Sequence, residues 1–365
     1  MILSGSGRRA YLKGTLLAVL SLLITWSAGE VLFHLAPNPY CDIVMPDQLD
    51  AWHAAGKDYV YTGALLHPRQ SLANRIHWNS HGWNDVEHMI AKPPGVTRVL
   101  IVGDSFVEAV QVPLKDALQR RLEGYLTERL ARPVEVVALA ESGWGQIDEL
   151  LAIYREGLAY SPDLVVAEFL SGNDVRDNDD DLRRLVREQD SSGSAARKCF
   201  LSALTHNFFF TAFMCDRADS MLQRAGLEPE PLDFEVYRNP PVRYPELWSE
   251  AWRRTAFAAG AMKKLLAEHQ ARLLIVAFTS TLEISAWAGT PTRIDLDGRL
   301  PTERMAVICE RAAIPFLSLA QRFARLPDGD RARIHIADDG HWTSYGHSLA
   351  ANEIAQYVVD NRLLP

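Results

Sequence analysis

Apolar residues fall into three kinds of run along this chain. Short unbroken runs, rich in β-branched residues, occur at Val99–Val102, Val134–Leu139, Leu164–Phe169, Leu273–Phe278 and, more weakly, Ile314–Leu317. Runs of that length without polar alternation suit strands buried on both faces of a parallel sheet. Between them apolar positions recur at helical spacing. Leu118, Leu122, Tyr125, Leu126 and Leu130 follow Pro113; Trp252, Phe257, Met262, Leu265 and Leu266 precede the fourth strand; Leu349, Ile354, Tyr357 and Val358 mark a last helix from Ser344. Each set gives one apolar face. Strand and helix alternating about five times predict a doubly wound, flavodoxin-like α/β fold, with a parallel five-stranded sheet flanked by helices.

The third kind of run opens the chain. Arg8, Arg9 and Lys13 precede a nearly unbroken apolar stretch from Gly14 to Gly29, and Glu30 interrupts it before Val31–Leu35 resume. A secretory signal has a shorter apolar core and a small-residue cleavage site, of which "WSAGE" is a poor version. Residues 14–36 are therefore expected to span a bilayer, for which ~20 apolar residues suffice. The basic flank puts the amino terminus on the cytoplasmic side and the main domain outside. A buried amphipathic helix is the alternative. The expected organisation is a tip and membrane anchor over 1–36, a stalk and lead-in over 37–95, and a main domain over 96–365. Within that domain, residues 175–245 show no good strand and read as an inserted cap. Its charge run "DNDDDLRR" reads as a solvated face, and Phe208–Phe210 as packing or an apolar wall.

Composition narrows the classes. Of 365 residues 48% are hydrophobic and 23% charged, as in ordinary globular chains. A formal charge of −8 argues against a nucleic-acid partner. Cys41, Cys199, Cys215 and Cys309 form no C-x-x-C pair, which leaves zinc and thioredoxin-like chemistry without support. Cys199 and Cys215 could close a disulfide within the insertion, or all four could stay free.

The first strand stops at Gly-Asp-Ser, placing Ser105 at a strand's carboxyl end, where open α/β sheets hold their sites. Gly-Asp-Ser is also ordinary turn and cap chemistry. A serine nucleophile needs a base, and the base an orienting partner. "IADDGHWTSYGHSLAA" offers His341 with Asp338 and Asp339 before it; either carboxylate could accept Nδ1–H and leave Nε2 for the serine. Donors for an oxyanion could come from Gly143, after the second strand, and Asn173, after the third. Taken singly these are a turn glycine and an Asx-turn residue; together, three consecutive strands end in groups useful for acyl transfer. A metal site from His335, His341 and His347 fits no zinc spacing. "GDSFVEA" lacks the G-x-G-x-x-G of a dinucleotide-binding turn.

With these blocks in order, the chain resembles the SGNH, or GDSL, hydrolases over about residues 75–362. "GDSF", "SGWGQ", "GND" and "DGHWTSYGH" match the family's four blocks. The resemblance implies Ser105 as nucleophile, His341 as general base and then acid, and an oxyanion hole of the Ser105 and Gly143 N–H groups with the Asn173 side chain. It implies no metal or organic cofactor. Many members use the Asp three residues before the His, here Asp338; the "D-x-H-W-T" form is more similar to the alginate O-acetyltransferase-like subgroup and points to Asp339, which is preferred. "NSHGWNDVEH" resembles a segment upstream of the first block in membrane-anchored members, with Asn84 where Arg is common; His347 is expected to pack or cap. The implied activity is ester hydrolysis through an acyl-serine; the expected exported, anchored location suggests envelope substrates, glycan O-acetyl groups or lipid esters. O-acyl transfer by the same intermediate is the alternative, and a non-catalytic glycan-binding or assembly protein the rival.

Overall fold

The computed structural model describes residues 5–35, 53–61, 74–192, 230–290, 293, 295–336 and 339–365. The first element is a helix, α1 (Gly5–Leu35). Among the described residues, however, no helix is long and apolar enough to cross a membrane. That corrects the expectation of a span over 14–36. The uncharged stretch between Lys13 and Glu30 reaches about 24 Å at ~1.5 Å per residue, short of a ~30 Å hydrocarbon core. α1 belongs to one compact unit and the sheet to another.

The sheet unit begins with a small antiparallel pair, β1 (Asp58–Tyr61) and β2 (Asn74–His77), with Tyr59 opposite Ile76. Then follow β3 (Thr97–Gly103), α2 (Ser105–Glu108), α3 (Leu118–Leu130), β4 (Val134–Ala140), α4 (Gln146–Arg155), β5 (Leu164–Leu170), α5 (Asp174–Asp177) and α6 (Asp180–Ser192). After the undescribed residues come α7 (Pro245–Glu268), β6 (Arg272–Phe278), α8 (Thr281–Trp287), α9 (Leu300–Arg311), β7 (Phe316–Ser318), α10 (Leu319–Phe323), α11 (Asp328–Arg331) and α12 (Ser344–Asp360). The five main strands are all parallel, in the order β4-β3-β5-β6-β7. This is the flavodoxin-like order expected, with its reversal between β3 and β5. β7 begins two residues later than the pattern suggests, after Pro315.

Burial explains why the strands read as unbroken apolar runs. β3 and β5 are buried at every position. Val99 and Ile101 face a layer with Leu122 and Leu126 of α3 and Ile354 and Val358 of α12. Leu100 and Val102 face the other layer, with Trp248 and Met262 of α7 and Met305 of α9. Each buried Val, Leu or Ile contributes about 1.5–3 kcal/mol, so neither face tolerates a polar residue without a partner.

Residues 53–61 and 74–95, expected as stalk and lead-in, contribute to this unit. Tyr59, Ile76 and Trp78 bury themselves with Val110, just beyond α2. Asn74 Nδ2 donates to the carbonyls of Val110 (3.0 Å) and Val112 (2.6 Å). In "NSHGWNDVEH", Asn84 Nδ2 donates to the Glu108 carbonyl at 2.7 Å, and Asp85 accepts the Ala138 N–H at 2.9 Å. The segment braces β4 and α2.

The charge run Asp177–Arg184 is a solvated face only in its second half, where Asp180, Asp181 and Arg184 are exposed; Asp177, Asn178 and Asp179 are buried. Asn178 bridges α4 and α7, accepting the Ile147 N–H and donating to Gln146 and Thr255. Asp179 caps α6 by accepting the Leu182 N–H at 3.0 Å. Cys309 is buried and free, its thiol pushed up to about 12 by burial. Cys41, Cys199, Cys215, Phe208–Phe210 and most of the expected cap lie outside the described residues.

Candidate active site

What crosses beneath the end of β3 explains the glycine there. A Cβ on Gly103 would lie 2.1 Å from Glu168 Oε2 and 2.5 Å from Val107 Cγ2, so no other residue fits. Glu168, in β5, accepts the Asp104 N–H at 2.7 Å. Asp104 in turn caps α2, its Oδ1 taking the Phe106 N–H at 2.9 Å. Ser105 is then the first residue of α2 and half-buried. Both readings of Gly-Asp-Ser describe the same turn: Asp104 is the cap, and Ser105 is left to face a base.

That base is in place. Ser105 Oγ lies 2.8 Å from His341 Nε2, and His341 Nδ1 lies 2.6 Å from Asp339 Oδ1. The same Oδ1 accepts the His341 backbone N–H at 3.1 Å, so one carboxylate fixes both main chain and ring. The imidazole rests against Phe106, centroids 5.0 Å apart, and Phe106 packs edge-on against Trp342. The Asp339 side chain is 5% exposed and the His341 side chain 24%. Burial works to raise the Asp339 pKa, but the hydrogen bond and charge of His341, its backbone N–H and the Tyr61 hydroxyl hold it below the ordinary carboxylate value. Asp339 therefore remains an acceptor into acid solution and selects the tautomer protonated at Nδ1, leaving Nε2 able to take a proton from Ser105. Asp338, the other expected orienting carboxylate, lies outside the described residues.

The expected oxyanion donors sit on the neighbouring strand ends. Gly143, after β4, has φ +83° with nothing within 4 Å of an added Cβ, so its demand for glycine is conformational rather than steric. Its loop is tied to the nucleophile turn by the Glu141 N–H, which donates to the Gly103 carbonyl at 3.3 Å. Asn173 precedes α5, and its Nδ2 donates to Asp104 Oδ2 at 2.9 Å. An amide nitrogen carries two hydrogens, which leaves the second for a substrate oxygen. Ser105, Gly143 and Asn173 thus follow the carboxyl ends of β3, β4 and β5, around the reversal of strand order.

His335 and His347 do not join His341 as ligands. His335 Nε2 donates to the Thr279 carbonyl at 2.9 Å. His347 is buried edge-on against Trp342, and burial followed by the His341 charge lowers its pKa to about 3. Among the described residues no cluster of His, Cys, Asp and Glu could hold a metal ion.

Sequence reading missed the floor of the site. Glu149, Glu168 and Asp174 are all essentially unexposed, and each leaves one carboxyl oxygen without a partner among the described residues. Burial first, and the neighbouring carboxyl groups after it, push all three well above the ordinary carboxylate value. A signal existed: an acid inside "LVVAEFL" has no business in a buried strand unless it is paired or protonated. Unfolded, such groups titrate near pH ~4–4.5. Above that range the folded chain still holds protons that the unfolded chain has lost, so stability falls as pH rises toward the folded values. Denaturant melts at several pH values between 5 and 8 should show this slope, with Glu168→Gln reducing it. A variant slope equal to wild type would mean that Glu168 titrates normally.

No family model and no curated protein matches the chain. Among solved structures it is similar to a lipase/acylhydrolase from Enterococcus faecalis, at 12% identity over 73% of this chain and 96% of that one, TM-score 0.40. It is similar also to a GDSL-like lipase from Bacteroides thetaiotaomicron, at 13% over 73% and 89%, TM-score 0.37. A third likeness is to an acetyl xylan esterase, AlAXEase, at 13% over 72% and 99%, TM-score 0.43. Likenesses this distant leave the chemistry to be argued from this chain's own residues.

Proposed function

We propose that this chain is an SGNH-type serine esterase acting through an acyl-enzyme on Ser105. The observation that carries the reading is the continuous chain from Asp339 through His341 to Ser105 Oγ, at 2.6 and 2.8 Å. In the first half-reaction Oγ attacks the ester carbonyl while its proton passes to His341 Nε2. The oxyanion that forms is met by the Ser105 and Gly143 N–H groups and by the second hydrogen of Asn173 Nδ2. Collapse expels the alcohol, which takes the proton back from Nε2, and water repeats the sequence on the acyl-serine. Nothing in this path requires a metal or an organic cofactor.

A second reading is O-acyl transfer, in which a sugar hydroxyl replaces water. Its support is the position of the orienting carboxylate, Asp339, two residues before His341, as in the D-x-H-W-T form of the alginate O-acetyltransferase-like subgroup. A location outside the cytoplasm belongs to the same proposal: Arg8, Arg9 and Lys13 followed by an apolar stretch have the order of basic and apolar regions in an export signal, and export brings glycan O-acetyl groups or lipid esters within reach. The test is to incubate the full chain with 4-nitrophenyl acetate and longer esters, with and without a polysaccharide acceptor, while mass spectrometry follows Ser105. Steady turnover identifies an esterase. An acyl-serine that clears only with acceptor identifies a transferase. If no ester acylates Ser105, the enzymatic reading fails and a binding or assembly protein takes its place.

A further inference from the structure

The loop carrying Gly143 is held by a chain of groups that the reaction does not consume. Ser142, beside Gly143, donates its hydroxyl to Glu108 Oε2. Glu108 Oε1 lies 2.8 Å from His53 Nε2, and His53 Nδ1 lies 2.7 Å from the Gly82 carbonyl. The Glu108 carboxyl is wholly buried and His53 is 17% exposed. The His53 ring stacks on Trp78 at 4.4 Å and meets Trp83 edge-on. Glu108 is the last residue of α2, the helix that begins with Ser105. One turn of helix therefore fixes the nucleophile at one end and the oxyanion loop at the other.

Both ring nitrogens of His53 face acceptors, a carbonyl and a carboxyl oxygen. The pair is satisfied only when it holds one proton more than a neutral imidazole beside a bare carboxylate. We propose that His53 is a positioning residue for the oxyanion hole: acting through Glu108 it holds Ser142, and so aims the Gly143 N–H. The inference rests on the ester chemistry proposed above.

The clamp has a pH sense. Burial disfavours the imidazolium of His53, but the hydrogen bond and charge of Glu108, the Gly82 carbonyl and the charge of Glu141 outweigh it, and the net shift is upward. Tyr59, on β1, is a further titratable group facing Glu108, and its phenol is pushed up by burial and by that charge. A base with a raised folded value contributes its stabilisation below the unfolded value and loses it as pH rises through the folded one. The clamp is thus closed below the ordinary imidazole value and opens as pH rises through the raised folded one.

The experiment compares the full wild-type chain with His53→Gln and with Ser142→Ala, a change at an exposed position that removes only the hydroxyl. Ester turnover gives kcat and KM from pH 6 to 9, and hydrogen exchange is followed in peptides covering residues 141–145. The expected result is a kcat about tenfold lower in both variants with KM within about twofold, since a donor that is misaimed costs part of the ~10²–10³ lost when one is deleted. A fall in kcat as pH rises through the His53 transition should be present in wild type and absent from His53→Gln, and the 141–145 peptides should exchange faster in both variants. Unchanged exchange overturns the proposal. So does faster exchange with kcat and its pH profile unchanged, which would make the clamp merely structural. If wild type turns over no ester while exchange still rises in the variants, the ester reading fails and the clamp on the loop stands.

Discussion

Replacing Ser105 by Ala is expected to lower turnover of a short ester by about 10⁴-fold or more while leaving the protein folded. The loss is large because no other group in the site can carry the acyl chain. The His341 imidazole could still activate water, and the Gly143 and Asn173 donors would still bind an oxyanion. The stability cost is small because Ser105 Oγ makes one hydrogen bond, to His341 Nε2, whose ring is partly open to solvent. Losing such a bond costs about 0.5–1.5 kcal/mol, which shifts the melting temperature of a domain this size by only a few degrees. His341→Ala should lose activity to nearly the same extent, because the two residues act as a unit. Kinetics and a thermal melt on the same preparations check both halves. A Ser105→Ala protein that keeps more than about a tenth of wild-type turnover would remove Ser105 from the role of nucleophile.

The sheet was legible because a strand buried on both faces has no room for alternation, so Val99–Val102 and Leu164–Phe169 announce themselves. The residues around the site were legible because their order along the chain follows the order of the strand ends. What stayed hidden depends on partners distant in sequence. His53 meets Glu108 across 55 positions, and nothing local to either residue points to the other. Tyr61 closes β1, a strand of four residues, too short for its period to stand out, and its hydroxyl meets Asp339 near the other end of the chain. The run Asp177–Asp179 reads as solvated by composition. It is buried because Ile147, Thr255, Leu182 and Arg254 supply the partners that make burial tolerable. The amino-terminal helix shows the opposite error. Its helical character was legible, but counting apolar residues gave too little weight to Lys13 and Glu30, which bound the uncharged stretch.

Asp339→Asn is expected to lower kcat by about 10³–10⁴-fold, whereas Asp338→Asn should change it by less than about threefold. The difference follows from a tautomer. With a carboxylate at 2.6 Å, His341 must carry its hydrogen on Nδ1, and Nε2 presents a lone pair to the serine hydroxyl. An asparagine amide can instead donate to Nδ1. The hydrogen then moves to Nε2, where it points at Ser105 Oγ, and the base can no longer accept the proton it is placed to take. The geometry of the site survives this change, so substrate binding and KM should alter little. The acid side of the pH profile offers an independent check. In wild type the stabilisation of Asp339 is complete above the ordinary carboxylate value and is lost only as pH falls through its depressed folded value. Stability contributed by this pair should therefore persist to lower pH in wild type and in Asp338→Asn, and be missing in Asp339→Asn. Measured kcat in the reverse order would transfer the orienting role to Asp338. Such a result would also withdraw the spacing of carboxylate and histidine that supports the transferase reading.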